Sequence, residues 1–386
     1  MKRQKICIIG GSLTGLVTAI SLSKLNCEID LITDINNSTF ISNRTVAISQ
    51  NNFDFLGNLN ISKFLNKNIW PCSIMKLYTE VQKKKFSEIF ELNYDNKQKK
   101  ILYMLENSKI TKLMLDKIKK IKTISIIKHE KISAIKNLGL LKSIKINNNS
   151  FKYNLVIVCT GNNSDLVKNT FSDQTIESSY KEISITAILQ HNPFKNNTVR
   201  QIFLDDEILA LLPISNAKTS IVLSIKKDIK RNDLFLKNKI KFYTKNYLKN
   251  AKFATGIEYR ELDFLIRRKY YKDRILLFGD ALHVLHPFVG QGFNMTLRDL
   301  TCLEKILSKK ISLGLDIGSL DVLSEFSSEA KPSNFAFSIS VNLLKNSFSI
   351  KNTYFKQVRN HMFKFLNKNN FTKNIFFEIA DKGLKI

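Results

Sequence analysis

The chain has 386 residues, and 61 Lys and Arg residues against 33 Asp and Glu residues give it a formal net charge of +28. With 44% hydrophobic and 24% charged residues, the composition is that of a globular protein and excludes a disordered or fibrous chain. The length suits two or three domains or one large α/β body.

The chain begins with a predicted βαβ unit. Residues 6–9 and 29–32 predict apolar strands, and residues 16–25 predict a helix between them. Residues 10–15 (GGSLTG) form a G-x-G-x-x-G turn with serine at the second glycine. Its glycines allow a tight turn, and the helix N-terminus directs N–H groups toward a pyrophosphate. The turn fits a dinucleotide site or a tight connection, and Asp34, where an acidic residue normally binds ribose hydroxyls, favours the first.

Further candidates follow in the next 130 residues. Arg44 lies in a polar loop, where an arginine is ordinarily just exposed but beside a dinucleotide turn can pair with phosphate. Residues 74–92 predict strands, and residues 110–118 predict a helix. Another apolar strand, at 155–159, ends in Thr160 and Gly161, again a strand-to-turn junction of the kind that meets phosphates.

From residue 182 the pattern changes to strands without intervening helices. This pattern predicts an antiparallel sheet inserted into the α/β body. The predicted strands are residues 183–189, 198–204, 208–212 and 220–225. Residues 232–248 predict a helix with aromatic side chains in the core, and a further strand reaches Arg267.

The most informative stretch is residues 274–294. It predicts a buried strand, a Gly-Asp turn, a Pro-Gly loop and a helix. The carboxylate of Asp280 at a strand end can accept hydrogen bonds from sugar-like hydroxyls, and Gly290 and Gly292 let backbone amides approach a flat ligand. The positive N-terminus of the helix can stabilise negative charge on such a ligand.

Two other kinds of site are not predicted. His283 and His286 have i, i+3 spacing on a turn broken by proline, which lacks the helix of a His-Glu-x-x-His zinc site, so no metal is expected. The five cysteines show no Cys-x-x-Cys spacing, which argues against a disulfide framework and favours a reducing cytosol. A G-x-S-x-G elbow and a P-loop are both missing from the sequence.

Motifs spread over almost the whole chain together resemble class A FAD-dependent aromatic monooxygenases, and among them the ubiquinone-biosynthesis hydroxylases. The Gly-Asp block is the most specific of these motifs. They are Gly10-x-Ser-x-x-Gly15, Arg44-x-x-Ala47-x-Ser49, Glu106-Asn107, the block GDALHVLHPFVGQGFN at 279–294, and the supporting segments LALLP at 209–213, Arg274, Asp299 and LDIG at 315–318.

The resemblance implies a para-hydroxybenzoate hydroxylase-like fold. This fold is α/β, with a doubly wound FAD-binding domain of glutathione-reductase type, an inserted antiparallel β-sheet substrate domain and C-terminal helices. The predicted segments are 1–73, 101–181 and 270–330 for the FAD-binding domain, 74–100 and 182–269 for the substrate domain, and 331–386 for the C-terminal helices.

The resemblance also implies a cofactor site. Residues at the first turn would hold the FAD pyrophosphate, Asp34 the adenosine ribose, Arg44 the phosphates or the active-site side of the cofactor, and Asp280 the ribityl chain. The full set of predicted cofactor-binding residues is Gly10, Gly11, Ser12, Gly15, Asp34, Arg44, Gly279, Asp280, Pro287, Gly290, Gln291, Gly292 and Asn294. Candidates to line the substrate are Leu212, Pro213 and His286.

The implied reaction is hydroxylation of the aromatic ring of a polyprenylated phenol in ubiquinone biosynthesis. NADH or NADPH reduces FAD, O2 adds to give a flavin C4a-hydroperoxide, and one oxygen passes to the phenol. Most of this chemistry belongs to the cofactor, so no side chain is assigned as general base.

This chain departs from the family pattern at three positions. Thr160 precedes Gly161 where the family has Asp-Gly, which puts the reduction step in doubt because that carboxylate is thought to help order the pyrophosphate and NAD(P)H. Ser12 replaces a glycine and is expected to weaken FAD binding at most. Leu282 replaces the second alanine of the Gly-Asp-Ala-Ala-His run, a tolerable change.

The C-terminal part alternates apolar and basic residues. Phe363, Phe371 and Ile375 alternate with Lys364 and Lys368, which fits a helix packing on the body or a basic amphipathic surface that docks on anionic membrane or on a ubiquinone-biosynthesis assembly. No apolar stretch of about 18 residues occurs, so we expect a cytoplasmic protein whose contact with the inner face of the membrane is peripheral.

Two other functions stay open from the sequence. The same fold could hydroxylate a small soluble aromatic compound, because the fold does not determine the substrate. Thr160 and the net charge also allow a non-catalytic basic binding protein. The basic residues are spread along the chain rather than clustered, so a nucleic-acid partner is not expected.

Overall fold

The structure is a computed structural model that describes residues 3–33, 42–61, 68–82, 85–93, 100–128, 132–146, 149–162, 164–171, 175–228, 232–287 and 290–384. The strands of these residues are β1 (Gln4–Ile9), β2 (Cys27–Thr33), β3 (Thr45–Ser49), β4 (Trp70–Cys72), β5 (Ile74–Gln82), β6 (Lys85–Asn93), β7 (Leu102–Glu106), β8 (Ile124–Lys128), β9 (Ile132–Leu138), β10 (Leu141–Ile146), β11 (Asn149–Tyr153), β12 (Leu155–Val158), β13 (Thr175–Gln190), β14 (Thr198–Phe203), β15 (Ile208–Ser215), β16 (Lys218–Lys226), β17 (Lys252–Phe253), β18 (Glu258–Arg267), β19 (Tyr271–Lys272), β20 (Ile275–Leu277) and β21 (His283–Val284). The helices are α1 (Leu13–Leu22), α2 (Gln50–Asn58), α3 (Asn107–Ile118), α4 (Asp165–Thr170), α5 (Asp233–Thr244), α6 (Gln291–Ser312), α7 (Leu320–Ser349), α8 (Thr353–Lys368) and α9 (Asn370–Lys382).

The parallel sheet has the order β19-β20-β12-β1-β2-β8, with only β19 antiparallel to its neighbour. β12 is buried along its whole length, as are the last four residues of β1. The sheet is covered by helices and by the small sheet of β9, β10 and β11, whose Ile144, Ile146 and Tyr153 lie in the same core. Helices α1, α3 and α6 contribute their apolar faces to the same core. This arrangement brings the carboxyl ends of β1, β12 and β20 to one edge of the sheet.

The second large sheet has the order β21-β18-β13-β16-β15-β14-β5-β6, and β17 pairs with β13. It is antiparallel except that β5 runs parallel to β14. The hairpin of β5 and β6 comes from a distant part of the chain, so its direction is not set by a short turn to β14. Two small sheets, β3-β7-β4 and β9-β10-β11, complete the strands.

The C-terminal helices cover one face of this large sheet. The rings of Phe348 on α7 and Phe203 on β14 stack with centroids 3.6 Å apart, and Phe363 on α8 meets Phe90 on β6 edge to face at 6.2 Å. The opposite face of the sheet packs on Leu236 and Ile240 of α5. This large sheet therefore has a core on each side.

Two elements cross boundaries that the sequence predicted. β13 begins at Thr175 rather than near 182, because its polar first half lacks the apolar alternation of a half-buried strand, and its register shifts between Ser179 and Glu182. α7 begins at Leu320 and passes through the boundary placed at 331, continuing over Pro332 although proline usually ends a helix.

Candidate active site

Three loops meet at the carboxyl edge of the parallel sheet, where ligands of open α/β sheets bind. A Cβ atom on Gly10 would lie 2.8 Å from the backbone carbonyl of Cys159, so the turn after β1 touches the end of β12. A Cβ atom on Gly279 would lie 2.6 Å from Thr14 Cγ2, so the Gly-Asp loop after β20 packs on the first turn of α1. At these contacts the neighbouring segments approach so closely that only glycine, which has no Cβ atom, fits.

The N-terminus of α1 is open toward this edge. Ser12, the N-cap residue, is exposed, and its side chain does not cap the helix; its Oγ donates to the carbonyl of Cys159 at 3.4 Å. Gly15 packs so closely that a Cβ atom would lie 1.9 Å from the carbonyl oxygen of Gly10. No described residue accepts a hydrogen bond from the first-turn N–H groups, which can therefore bind an anion, and the positive helix end favours one.

Charged side chains from two segments surround the Gly-Asp loop. Asp280 is half-exposed and forms an ion pair with Arg260 on β18, with Oδ2 and Nη2 3.3 Å apart. Arg44 lies 3.5 Å from Glu258, which also accepts from the backbone N–H of Asn43. Burial lowers the pKa of Arg44, repulsion from Arg260 lowers it further, and Glu258 and Asp280 oppose this.

The sequence motifs point to Arg44 and Asp280 but not to Glu258 and Arg260. These two lie two residues apart on β18, so their side chains share one face of the strand. This i, i+2 spacing was the feature of the sequence that could have pointed to Glu258 and Arg260. We call the turn at residues 10–15, the Gly-Asp loop at 279–281 and the loop at Gly290 the cradle. Together the four side chains place two guanidinium groups and two carboxylates beside the cradle, which suits recognition of phosphates and hydroxyls.

The loop before α6 leaves open space. Gly290 has φ +65°, the left-handed region that favours glycine, and a Cβ atom there would lie 2.8 Å from Ala47 Cβ. Among the described residues, and apart from its chain neighbours and its own helix backbone, nothing lies within 4 Å of a Cβ atom built on Gly292. The side-chain oxygen Oε1 of Gln291 is buried and has no partner in the described residues. Pro287 is half-buried at the start of this loop.

Asn294, predicted to bind the cofactor, has a different role. Its Nδ2 donates to the Ala47 carbonyl at 2.9 Å, and its Oδ1 accepts from the Ser49 N–H and from Asn52 Nδ2, each at 2.9 Å. The residue is fully buried. Its side-chain hydrogen-bonding atoms are therefore committed to joining α6 with β3 and α2, so the side chain positions the loop before α6.

Arg267 is a positioning residue that the sequence did not single out. Its Nε donates to the carbonyl of Ala281 at 2.7 Å, Nη1 to that of Phe171 at 3.1 Å, and Nη2 to Asn162 Oδ1 at 2.8 Å. The side chain is buried, which lowers the pKa of Arg267. One guanidinium group thus fixes the Gly-Asp loop against the loop after β12.

A buried charged cluster lies between the loop at Pro287, strand β13 of the large antiparallel sheet and α7. Glu182 Oε2 is 3.2 Å from His286 Nε2, and Glu182 Oε1 accepts from Lys345 Nζ at 2.6 Å. The Tyr180 ring packs edge to face on His286, with the ammonium of Lys345 4.7 Å from the ring centroid. We refer to Glu182, His286 and Lys345 as the Glu182 cluster.

Electrostatics hold the Glu182 cluster in one protonation state. Burial lowers the pKa of His286, and Glu182 only partly offsets this, so the imidazole is neutral. Burial alone would raise the pKa of Glu182, but hydrogen bonds with His286 and Lys345 bring it below its ordinary value. Nε2 of His286 therefore donates to the carboxylate, and Nδ1, which is buried and has no partner in the described residues, is an unprotonated acceptor.

The remaining predicted residues are placed as follows. Leu212 and Pro213 are buried on β15, and Leu212 belongs to the same apolar cluster as Leu285, next to His286. Thr160 is exposed, with Oγ1 2.6 Å from the Oγ of Ser164, which caps α4. Asp34 lies outside the described residues.

These features fit FAD rather than a metal. The cradle has an open helix N-terminus for a pyrophosphate, an exposed carboxylate for hydroxyls and, among the described residues, open space at Gly292 for a flat ring. Within the described residues, no group of three or more His, Cys, Asp or Glu side chains is placed to hold a metal ion.

Comparisons with known proteins agree with this geometry. The family described as the FAD binding domain matches residues 3–332. The chain is 22% identical to the mitochondrial ubiquinone biosynthesis monooxygenase of Dictyostelium discoideum, over 99% of this chain and 91% of that protein. It is 24% identical to kynurenine 3-monooxygenase of Drosophila willistoni, over 80% of this chain and 73% of that protein.

Solved structures show the same fold. p-Nitrophenol 4-monooxygenase of Pseudomonas putida superposes with a TM-score of 0.82 at 15% identity, covering 100% of this chain and 99% of that chain. HpxO of Klebsiella pneumoniae, solved with FAD and uric acid, superposes with a TM-score of 0.79 at 12% identity, covering 98% and 97%. The predicted fold is thereby confirmed. The chain belongs to the FAD-binding-domain family and is an FAD-dependent monooxygenase.

Proposed function

We propose that this monooxygenase hydroxylates the aromatic ring of a polyprenylated phenol in ubiquinone biosynthesis, with O2 as the oxygen source and NADH or NADPH as the electron donor. The observation that carries the proposal is the match to the ubiquinone biosynthesis monooxygenase of D. discoideum over 99% of this chain and 91% of that protein. A match over nearly both full lengths includes the substrate sheet and the C-terminal helices as well as the cofactor cradle.

In this proposal the chain's residues bind and orient, while the redox chemistry is supplied by FAD when bound, namely reduction by a nicotinamide and activation of O2. The first turn of α1 would hold the pyrophosphate, Asp280 the ribityl hydroxyls, and Gly290 and Gly292 the ring. Arg44 would neutralise phosphate charge at the edge of the cradle. Arg267 and Asn294 keep these loops in place.

The Glu182 cluster would serve the substrate side of the site. His286 directly precedes Pro287 in the loop that opens α6, and its Nδ1 is an unprotonated, buried acceptor. We assign it the role of accepting the phenol proton at Nδ1, with Glu182 fixing the tautomer through Nε2. Leu212 and Pro213 would supply an apolar, water-excluding wall.

Hydroxylation of a small soluble aromatic compound is the second candidate. The similarity to kynurenine 3-monooxygenase over 80% of this chain favours it. The two candidates differ in where the substrate resides, because a polyprenyl tail partitions into the bilayer. If the substrate is a polyprenylated phenol, we propose that the protein works at the inner surface of the cytoplasmic membrane.

A strain that lacks this protein tests the choice. Chromatography of its quinone extract should show a polyprenylated precursor that lacks one ring hydroxyl, and the wild-type gene should restore ubiquinone. A Gly15→Ala gene, whose product cannot form the cradle, should not restore it. A normal quinone profile in the deletion strain would contradict the proposal and favour the soluble substrate.

A further inference from the structure

Helix α8 carries an apolar stripe that faces solvent. Tyr354, Val358, Met362 and Phe365 are 81%, 68%, 52% and 70% exposed. Their i, i+4, i+8, i+11 spacing puts them within about 80° of the helix circumference, at about 100° per residue. Side chains of this size usually become buried when they share one face of a helix.

The stripe is not a sign of a poorly packed helix, because the opposite face of α8 is fixed in the core. Phe363 is buried between Phe90 and Phe348. Arg359 is also buried, and its Nη1 donates to the carbonyl of Ser347 at 2.9 Å. The described part of the protein thus packs on one face of α8 and leaves the other face exposed.

The same exposure continues into α9, which begins two residues after α8 ends. Phe371 is largely exposed, and Ile375 and Phe376 are partly so. On the inner side of α9, Phe377 is buried in the core. We call Tyr354, Val358, Met362, Phe365 and Phe371 the apolar stripe.

Positive charge lies beside the apolar stripe. α8 contains four basic residues and no Asp or Glu. Lys364 and Lys368 are exposed on one flank of the stripe, and neither forms an ion pair within the described part of the chain. Lys356, by contrast, points back to Asp205 on the body. Unpaired lysines next to exposed aromatic residues are the arrangement of helices that lie in a membrane interface.

We propose that α8 and the start of α9 dock on an anionic lipid bilayer, with the helix axis parallel to the surface and the apolar stripe at the boundary between headgroups and acyl chains. A second copy of the chain is a poorer occupant, because two facing stripes would bring their lysines together. In the described residues, no helix is long and apolar enough to cross a membrane. The inference rests on the proposed function for its biological purpose, but its test needs no substrate.

The test is co-sedimentation of the FAD-loaded full chain with vesicles of phosphatidylglycerol and phosphatidylcholine. The protein should bind these vesicles, bind pure phosphatidylcholine vesicles less, and lose affinity as salt is raised. The double variant Val358→Asp/Phe365→Asp should lower the partition coefficient about tenfold or more. Lys364→Gln/Lys368→Gln should lower it about fivefold per lysine and weaken the salt dependence.

The matched control is Leu140→Asp/Leu234→Asp, which adds the same charge at two exposed leucines outside the C-terminal helices. It should bind vesicles like the wild type. Flavin absorbance and the melting temperature establish that each variant is folded, and the lysine double variant carries the test if the aspartates unfold α8.

Three results would overturn the inference. They are wild-type protein that stays in the supernatant, aspartate or glutamine variants that bind as well as the wild type, and a wild-type dimer that Val358→Asp/Phe365→Asp converts to monomer without any vesicle binding. Vesicle binding without hydroxylation of a polyprenylated phenol would refute the proposed function alone, whereas hydroxylation without vesicle binding would refute this inference alone.

Discussion

The cofactor cradle and the Glu182 cluster border the same loop but are built in different ways. The cradle is made of backbone, and its glycines at 10, 15, 279 and 290 are required because a Cβ atom would collide with a neighbouring segment of the chain. The Glu182 cluster is made of side chains from β13, the loop at Pro287 and α7, held by two hydrogen bonds to one carboxylate. We therefore expect the cradle to be disrupted by a single added side-chain atom and the Glu182 cluster to be destabilised by the loss of one charged side chain.

The largest effect is expected from adding one methyl group to the cradle. In Gly15→Ala the new Cβ would lie 1.9 Å from the carbonyl oxygen of Gly10, which cannot retreat because Gly10 is packed against Cys159. We expect loss of bound flavin and a fall of about 3 kcal/mol in the free energy of unfolding, measured by flavin absorbance and urea denaturation. Gly256→Ala is the control, because apart from its chain neighbours no described residue lies within 4 Å of a Cβ atom built there. If both variants behave alike, the cradle is not built as described.

Removing a charge from the Glu182 cluster should be nearly as costly. Lys345→Met keeps most of the buried volume but leaves Glu182 without its cation, which should lower the free energy of unfolding by about 3 kcal/mol in urea denaturation. Lys351→Met, in an exposed pair with Asp206, should cost at most about 1 kcal/mol. Lys345→Met/Glu182→Gln should recover part of the loss, and a double variant no more stable than Lys345→Met would contradict the assigned pairing.

Asp280→Asn tests the carboxylate of the cradle without changing its shape. A charged acceptor lost from hydroxyl hydrogen bonds should weaken FAD binding about tenfold to a hundredfold, measured by fluorescence titration of the protein freed of flavin. Asp206→Asn removes an equally accessible carboxylate outside the cradle and should leave FAD affinity unchanged. Equal FAD affinities of wild type and Asp280→Asn would remove Asp280 from the cofactor site.

The smallest effect is a pH dependence. The pKa of His286 is lowered from 6.5 in the fold, so the unfolded chain binds a proton that the folded chain does not, and stability falls as the pH drops below about 6.5. The pKa of Glu182 is also lowered, so its contribution is present above about 4.5 and is lost as the pH falls through the folded value. The melting temperature should therefore decrease from pH 7 to pH 5, and His286→Gln should flatten the curve above pH 5.

His361→Gln, at an exposed histidine on α8, is the control and should keep the wild-type slope. A steep slope retained by His286→Gln would place the responsible group elsewhere.

The same contrast explains what the sequence could predict. The Gly10 turn, Asp280 and the loop at Gly290 were readable because a glycine demanded by backbone crowding appears at fixed spacing within one short segment. Arg260, Arg267 and Lys345 were not, because each bonds with a residue in another segment of the chain, as Arg267 does with Asn162, which is 105 residues away. Only the folded topology brings such pairs together. Asn294 shows the converse: it stands in the motif, but its side-chain hydrogen bonds point into the protein.

Mass spectrometry of the product made under isotopically heavy O2 tests the proposed hydroxylation itself. The purified, FAD-loaded protein would receive NADH or NADPH and, side by side, a polyprenylated phenol in detergent and a soluble aromatic such as kynurenine. The proposal predicts that one heavy oxygen atom enters the ring of the polyprenylated phenol, at a rate that exceeds the rate with the soluble compound. Heavy oxygen only in the soluble compound, or nicotinamide oxidation with no labelled product from either, would contradict it.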